Sequence, residues 1–422
     1  MLSHKLGTFV DVGQKKVKTI TLGCRFNSYE SEVSKALIET LVPETNVILI
    51  NTCAVTHEAE RQSKQAVRRA IRENKEAVII VTGCAAKTSQ KYFEDLDGVF
   101  KVIQNDKKTD INEYKFVSLN PNLELKEPSL FENRVRAFLQ IQNGCDHFCT
   151  YCIVPFTRGR SKSLPIAEIL KRVGYFESHG FKEIVLSGID IASYGKDMKD
   201  EYRLVDVIKS IFKKYPKQER IRISSIDPKE ISGPLLDLFI HDERIMPHFH
   251  LSIQSGDNET LKLMRRRHTR EDVLKLCQEL RMGRKNVVIG ADLLAGLPFE
   301  NDKMFENTLS LIDDAELSLI HSFTYSPRQG TVAAQMIQLP RKVIIERGQI
   351  LCQKAKKAKL KMFKSMVGQN VSGIVEKYQS GIAYGKTDSF ITFQIKKQIS
   401  PNTVINNAKV IGFCEECILL AN

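Results

Sequence analysis

Three cysteines constrain the amino-terminal part of this chain more than any other feature. Cys24, Cys53 and Cys84 are spaced 29 and 31 residues apart, and the β-rich runs Val17 to Leu22, Asn46 to Asn51 and Ala77 to Thr82 each end just before one of them. About 30 residues is the length of one β-α-β unit, so the repeat predicts a parallel α/β domain over 17–117, with every cysteine leaving the carboxyl edge of one sheet. Three separate core cysteines would also fit the count. Their shared position after a strand, in loops containing Gly23, Asn51-Thr52 and Gly83, favours thiolates that converge.

From Ser118 to Glu132 the pattern lapses into Pro, Asn and Glu, which predicts a linker over 118–132. Six further strand-helix alternations follow, with strands near Arg136 to Gln142, Glu183 to Ser187, Arg220 to Ser225, His248 to Ile253, Val287 to Leu294 and Leu317 to Phe323. The fold class is α/β, and six units over 133–365 imply an open, partial (β/α)6 barrel whose chemistry sits at the carboxyl ends of the strands. Beyond Met366 short alternating runs broken by Gly373, Gly381 and Gly385 predict a small β-barrel over 366–422. Gly385-Lys386-Thr387 suggests a phosphate loop, but Ser380 stands where the first glycine of that motif belongs, and no strand-to-helix context surrounds it.

The chain carries ten cysteines, and no run of eighteen apolar residues or signal-peptide pattern accompanies them. A cytoplasmic protein with no membrane partner is therefore expected, and clustered cysteines in that reducing compartment read as metal ligands or catalytic thiols rather than disulfides. The decisive cluster follows the first barrel strand: Cys145, Cys149 and Cys152, spaced C-x3-C-x2-C. A structural zinc site takes four protein ligands and a fully ligated iron-sulfur cube takes four cysteines, so three within eight residues leave one coordination position open. His147 is a possible fourth zinc ligand, but two residues from either neighbouring cysteine it would strain a tetrahedral site. Cys277 and Cys352 read as core residues. Cys414 and Cys417 read as a structural pair, because the two intervening acids oppose thiolate formation.

This spacing after the first barrel strand, with Tyr151 before the last cysteine, resembles the radical S-adenosylmethionine (SAM) superfamily. With three cysteines in a preceding α/β domain and a terminal barrel, the whole chain from Val17 onward resembles the methylthiotransferases. The resemblance implies two [4Fe-4S] clusters, one held by Cys145, Cys149 and Cys152 with SAM on its open iron, and an auxiliary one held by Cys24, Cys53 and Cys84. It further implies that the terminal barrel is a TRAM domain that grips substrate. One SAM would methylate sulfur at the auxiliary cluster, and a second would supply the radical that lets this group replace hydrogen on the target carbon. Along the barrel, Leu186 to Asp190, Arg222 to Ser225, His250 to Gly256 and Gly296 to Pro298 resemble the SAM-binding edges of the family. They nominate Tyr151, Ser187, Gly188, Arg222, Ser224 and Gln254 as cofactor contacts. Phe299 departs from the family pattern, which usually has Gly after that proline.

Lys and Arg number 63 against 50 Asp and Glu, a net charge of +13, which suits a polyanionic partner. Two segments concentrate it. Arg61 to Lys75 has six basic residues against one acid, with Arg61, Lys64, Arg68, Arg72 and Lys75 on one helical face; Arg341 to Ser365 has nine against one. The run Met264 to Arg270 lies at the presumed mouth and reads as a phosphate contact. Within the family, one branch modifies isopentenyladenosine in tRNA, one modifies threonylcarbamoyladenosine, and one modifies a ribosomal protein aspartate. Thr21 to Arg25, Asn51 to Thr56, Arg158 to Ser163 and Tyr325 to Arg328 most resemble the second, and Arg160 or Arg328 is a candidate for its carboxylate. The implied partners are the tRNA anticodon stem-loop, whose bases are unstacked, and an electron donor such as a flavodoxin or ferredoxin. A tRNA-binding scaffold with structural clusters and an iron-sulfur electron carrier are the rivals from other classes; open three-cysteine sites disfavour both.

Overall fold

The computed structural model describes residues 17–41, 46–117 and 135–421, so the linker expected over 118–132 lies outside the described residues. The chain divides into two units. The first comprises Met1–Glu132, Gly144–Arg160 and Ser326–Thr331, and the second Asn133–Asn143, Ser161–Tyr325 and Val332–Asn422. The loop with the second cysteine trio thus groups with the amino-terminal unit, and the terminal barrel groups with the six-strand domain.

In the first unit β1 (Val17–Thr21), β2 (Val47–Thr52), β3 (Val78–Gly83) and β4 (Val99–Val102) form a parallel sheet in that order. The alternating side chains of β2 explain why it reads as continuously apolar. Val47 and Leu49 pack with Ile38 and Leu41 of α1 (Arg25–Leu41), while Ile48 and Ile50 pack with Val67 and Ala70 of α2 (His57–Glu73). A strand buried on both faces has no polar side to show. The short helices α3 (Cys84–Thr88) and α4 (Gln90–Glu94) follow β3, and α5 (Val154–Arg158) belongs to the same unit.

The second unit contains β5 (Arg136–Gln140), a short pair of β6 (Gln142–Asn143) and β7 (Lys162–Ser163), then α6 (Ile166–Ser178), β8 (Glu183–Ser187), α7 (Leu204–Lys214) and β9 (Ile221–Ile223). It continues with α8 (Gly233–His241), β10 (His248–Gln254), α9 (Asn258–Leu263), α10 (Arg270–Gly283), β11 (Val288–Ala295), α11 (Asp302–Asp314) and β12 (Leu319–Thr324). The parallel sheets β5-β8-β9 and β10-β11-β12 are linked by parallel bridges at Ile221–Ile245 and Ile226–Leu251, so six strands run in chain order as the sequence led us to expect. Phe249 of β10 stacks on Phe239 of α8, with ring centroids 4.8 Å apart, which assigns that face of the strand to the helices. His248 and His250, on either side of Phe249, therefore face the barrel interior.

The long helix α12 (Arg341–Met366) leads into a closed barrel of β13 (Asn370–Gln379), β14 (Ile382–Thr387), β15 (Thr392–Ile395), β16 (Val404–Phe413) and β17 (Ile418–Leu420), ordered β13-β14-β15-β17-β16. Gly385-Lys386-Thr387 lies on β14, which disposes of the phosphate-loop reading. The β14–β15 turn docks at the amino-terminal ends of the six strands. Arg220 reaches the Asp388 carboxylate at 2.7 Å, Arg222 donates to the Asp388 carbonyl at 2.9 Å, and Phe390 stacks on His248. Beneath that turn Glu183 is fully buried and accepts from Arg136, Arg220 and Arg222. Those three cations outweigh the desolvation that would raise the Glu183 carboxyl, and hold it at about 2.

Candidate functional site

Folding brings the first cysteine trio together. Cys53 and Cys84 are buried and Cys24 is exposed, and the charges of Cys84 and Cys24 both act on Cys53. Burial pushes the Cys53 thiol up to about 12, so without a metal it stays protonated. Its backbone is fixed by α2, because Cys53 N donates to Ser63 Oγ at 3.0 Å and that hydroxyl donates back to the Cys53 carbonyl. Gly23, with φ of +92°, makes room in front of the sulfur: a Cβ there would lie 2.7 Å from Cys53 Sγ.

A buried polar network ties these loops. Asn27 Nδ2 donates to the carbonyls of Leu22 and Thr52, one loop bearing Cys24 and the other Cys53. Its Oδ1 accepts from Arg158 Nη2 at 2.6 Å. Arg158 also pairs with Glu30, which Lys108 contacts from its other side, and all three side chains are at most 2% exposed. Burial opposes the charge on Glu30, but Arg158 and Lys108 hold its carboxyl below the usual range. Asn105 Nδ2 points at Cys84 Sγ from 3.6 Å and bonds the Thr157 carbonyl at 3.0 Å. The donor set fits a thiolate-held cluster with outer-shell hydrogen bonds. Asn27, Glu30, Lys108 and Asn105 were not singled out from sequence; they are polar residues hidden in a helix and a turn, and only burial distinguishes them.

Cys145, Cys149 and Cys152 are half-buried on one loop, as is Tyr151. Cys145 N donates to the Gly159 carbonyl at 3.1 Å and Cys152 N to the Cys149 carbonyl at 3.0 Å, so the loop closes on α5. In the second unit, Ser187 ends β8 and is buried. Gly188 packs so closely that a Cβ would lie 2.9 Å from Gln142 Oε1, which accepts from Asp190 N at 2.8 Å. Ser224 follows β9, and its buried Oγ has no hydrogen-bond partner among the described residues, a cost that a ligand would remove. Gln254 ends β10 at φ of +76°, where the β10–β11 register breaks. Strain of that kind gathers at ligand clamps. Arg222 requires a correction. It was expected at the carboxyl edge, but its guanidinium turns to the opposite end, to Glu183 and Asp388.

A model of the Radical SAM superfamily matches residues 139–312, and one of the Uncharacterized protein family UPF0004 matches residues 16–104. The Threonylcarbamoyladenosine tRNA methylthiotransferase MtaB of Rickettsia prowazekii is 42% identical, covering 95% of this chain and 97% of the relative. The chain belongs to the methylthiotransferase family of radical SAM enzymes. A tRNA-2-methylthio-N(6)-dimethylallyladenosine synthase of Staphylococcus haemolyticus is 35% identical, covering 75% of this chain and 66% of its own. The radical SAM methyltransferase TsrM of Kitasatospora setae, solved with cobalamin and a [4Fe-4S] cluster bound, shares the fold at a TM-score of 0.52 and 13% identity, over 74% of this chain and 69% of its own.

Among the basic features of this methylthiotransferase, several are already spent. Of the expected ridge on α2, Arg61 pairs with Glu58 and Lys64 with Glu60, Arg72 lies 3.6 Å from Glu73, and Lys75 lies beyond the helix end, so the ridge is only partly neutralised and Arg68, Arg72 and Lys75 stay exposed. In the run at the presumed mouth, Arg266 binds Asp227, Arg267 binds Glu230, and Arg270 binds the carbonyls of Gly256 and Asn307. Phosphate contact by these three is therefore withdrawn; Arg265 keeps an exposed side chain, with no such anchor among the described residues. Arg328 is buried against Glu60, whereas Arg160 is 74% exposed and pairs with Asp146. On α12, Lys357, Lys361 and Lys364 are exposed. Cys277 is buried in α10 as expected, and Cys414 and Cys417 face each other across a turn, Sγ to Sγ 3.4 Å. Among the described residues no helix is long and apolar enough to cross a membrane.

Proposed function

We propose that this chain converts N(6)-threonylcarbamoyladenosine at position 37 of tRNA, next to the anticodon, to its 2-methylthio derivative. The observation that carries this reading is the near full-length similarity to the Rickettsia prowazekii protein whose name states that substrate, at higher identity than the relative named for dimethylallyladenosine. The stretches Arg158 to Ser163 and Tyr325 to Arg328 point the same way.

Cys145, Cys149 and Cys152 would hold one [4Fe-4S] cluster, and Cys24, Cys53 and Cys84 an auxiliary one. When bound, the clusters and SAM supply the radical and methylthio chemistry, which belongs to the cofactors rather than the side chains. Tyr151, Ser187, Gly188, Ser224 and Gln254 are the proposed SAM contacts; Arg222 leaves that set and instead secures the barrel base. Of the two candidates for the substrate carboxylate, Arg160 is kept because its guanidinium is exposed, whereas Arg328 is buried against Glu60. A flavodoxin- or ferredoxin-type donor and the cytoplasm complete the proposal.

The test is mass spectrometry of tRNA nucleosides from cells with and without the gene. Loss of 2-methylthio-threonylcarbamoyladenosine alone supports this substrate. Loss of the isopentenyl derivative instead keeps the enzyme class and overturns the substrate; no change in either brings a protein substrate forward.

A further inference from the structure

Inside the barrel, three side chains that no part of the proposed reaction uses come together on adjacent strands. Asp292 of β11 and His321 of β12 are register partners, and His250 of β10 pairs with Gly290, two residues before Asp292. His250 Nε2 lies 2.9 Å from Asp292 Oδ1, and His321 Nδ1 lies 3.1 Å from the same oxygen. One ligand atom from each residue lies within 4.8 Å of the other two.

Several features make this a built arrangement. The His250 and His321 rings approach with centroids 4.4 Å apart. Gly290 clears the space that the His250 ring occupies, since a Cβ there would lie 2.7 Å from Nδ1. Ser225 Oγ meets the second carboxylate oxygen at 3.4 Å, the outer-shell contact that orients a ligating carboxylate. His250 is buried, Asp292 is half-buried and His321 is exposed, so the site is walled at its base and open on one side.

We infer that His250, Asp292 and His321 bind a divalent first-row cation of the zinc class, with coordination positions left open toward His321. Two imidazoles and one carboxylate suit zinc, iron, cobalt or nickel rather than magnesium or calcium, which prefer all-oxygen sites. Metal-ligand bonds of about 2.0–2.2 Å place neighbouring ligand atoms about 2.9–3.5 Å apart, the separation that both imidazoles keep from Asp292 Oδ1. With only three protein ligands, the ion would accept water or an anionic oxygen of a bound molecule.

The experiment uses the full chain, anaerobically reconstituted with iron and sulfide so that the six cluster cysteines are occupied, and carrying C414S and C417S to remove the thiol pair of the terminal barrel. It is dialysed against chelator-buffered zinc at concentrations that leave the iron count unchanged, and zinc per chain is measured by mass spectrometry. We expect one zinc per chain with a nitrogen and oxygen environment in X-ray absorption. H321A, at an exposed position that tolerates truncation, should weaken binding by at least about ten-fold, because even outer-shell losses cost roughly 10–100-fold. H321C should recover it through a thiolate ligand. Equal zinc uptake by H321A and its parent, or a sulfur-ligated zinc in the parent, overturns the proposal, as does the absence of zinc uptake at every concentration that preserves the clusters.

Discussion

Arg158 lies six residues beyond Cys152, and its Nη2 donates at 2.6 Å to Oδ1 of Asn27, three residues beyond Cys24. One buried side chain thus runs from the helix after the second cysteine trio into the network that shapes the first. Burial opposes the charge on Arg158, but Glu30 and then the sulfurs of Cys84 and Cys24 favour it and raise its pKa overall.

A cation beside thiolate ligands stabilises the more negative, reduced state of any cluster they hold. Arg158→Gln should therefore lower the midpoint potential of the proposed auxiliary cluster, by at least about 60 mV, equivalent to about 1.4 kcal/mol for a one-electron couple. Arg158→Lys, which keeps the charge but loses the planar fork, should shift it less. Redox titration followed by electron paramagnetic resonance reads both. An unchanged potential with intact iron content would make Arg158 a purely structural tie.

Glu183 is the anion that three arginines share beneath the β14–β15 turn. Its folded pKa of about 2 lies below the ordinary value, so its contribution to stability is complete above about pH 4.3 and is lost as pH falls toward 2. Glu183→Gln should cost about 3–5 kcal/mol, because it leaves Arg136, Arg220 and Arg222 buried around a neutral amide. Denaturant unfolding at neutral pH should resolve that loss, and the difference between variant and parent should shrink as the pH approaches 2. A variant as stable as its parent at neutral pH would mean that solvent or other groups already neutralise the cluster.

Strands and their order were legible because both periodicities were intact: continuous apolar runs in β2 and β3, and strand-helix alternation through the six barrel units. The approach of Cys24, Cys53 and Cys84 was legible because the strand repeat encodes it. Arg222 was misplaced for a physical reason. Adjacent residues of a strand face opposite sides, but sequence does not say which end of the strand a long side chain will reach toward. The charged run from Arg265 to Arg270 failed similarly, since Asp227 and the carbonyls that absorb it come from distant turns. His250 stood in a recognised stretch, yet its meeting with Asp292 and His321 depends on strand register, which no local pattern announces.

Gln254 offers a test that separates strain from binding. A non-glycine residue at φ of +76° costs roughly 1–2 kcal/mol, so Gln254→Gly should raise stability by up to that amount if the side chain makes no compensating contact. The same change should weaken SAM binding in equilibrium dialysis if the amide meets the cofactor. Higher stability with unchanged affinity would assign Gln254 a backbone role alone.

A second exposed basic surface is on α12, where Lys357, Lys361 and Lys364 follow one another at helical spacing. Residues Arg347, Leu351, Ala355 and Phe363 bury the opposite side, so these lysines are free to meet phosphate without disturbing the core. Neighbouring cations have different duties: Lys354 pairs with Asp313 and Lys356 with Glu415. Each phosphate contact contributes about 0.7–0.9 to the slope of log affinity against log salt. Replacing Lys357, Lys361 and Lys364 together by Gln should therefore reduce that slope for tRNA binding by roughly 2–3 and weaken affinity alike for tRNAs with and without the modified adenosine. Circular dichroism and unfolding should be unaffected, since surface changes of this kind stay within about 0.5 kcal/mol. If the salt slope does not move, the α12 lysines form only a solvated face, and the charge that draws the polyanion lies elsewhere.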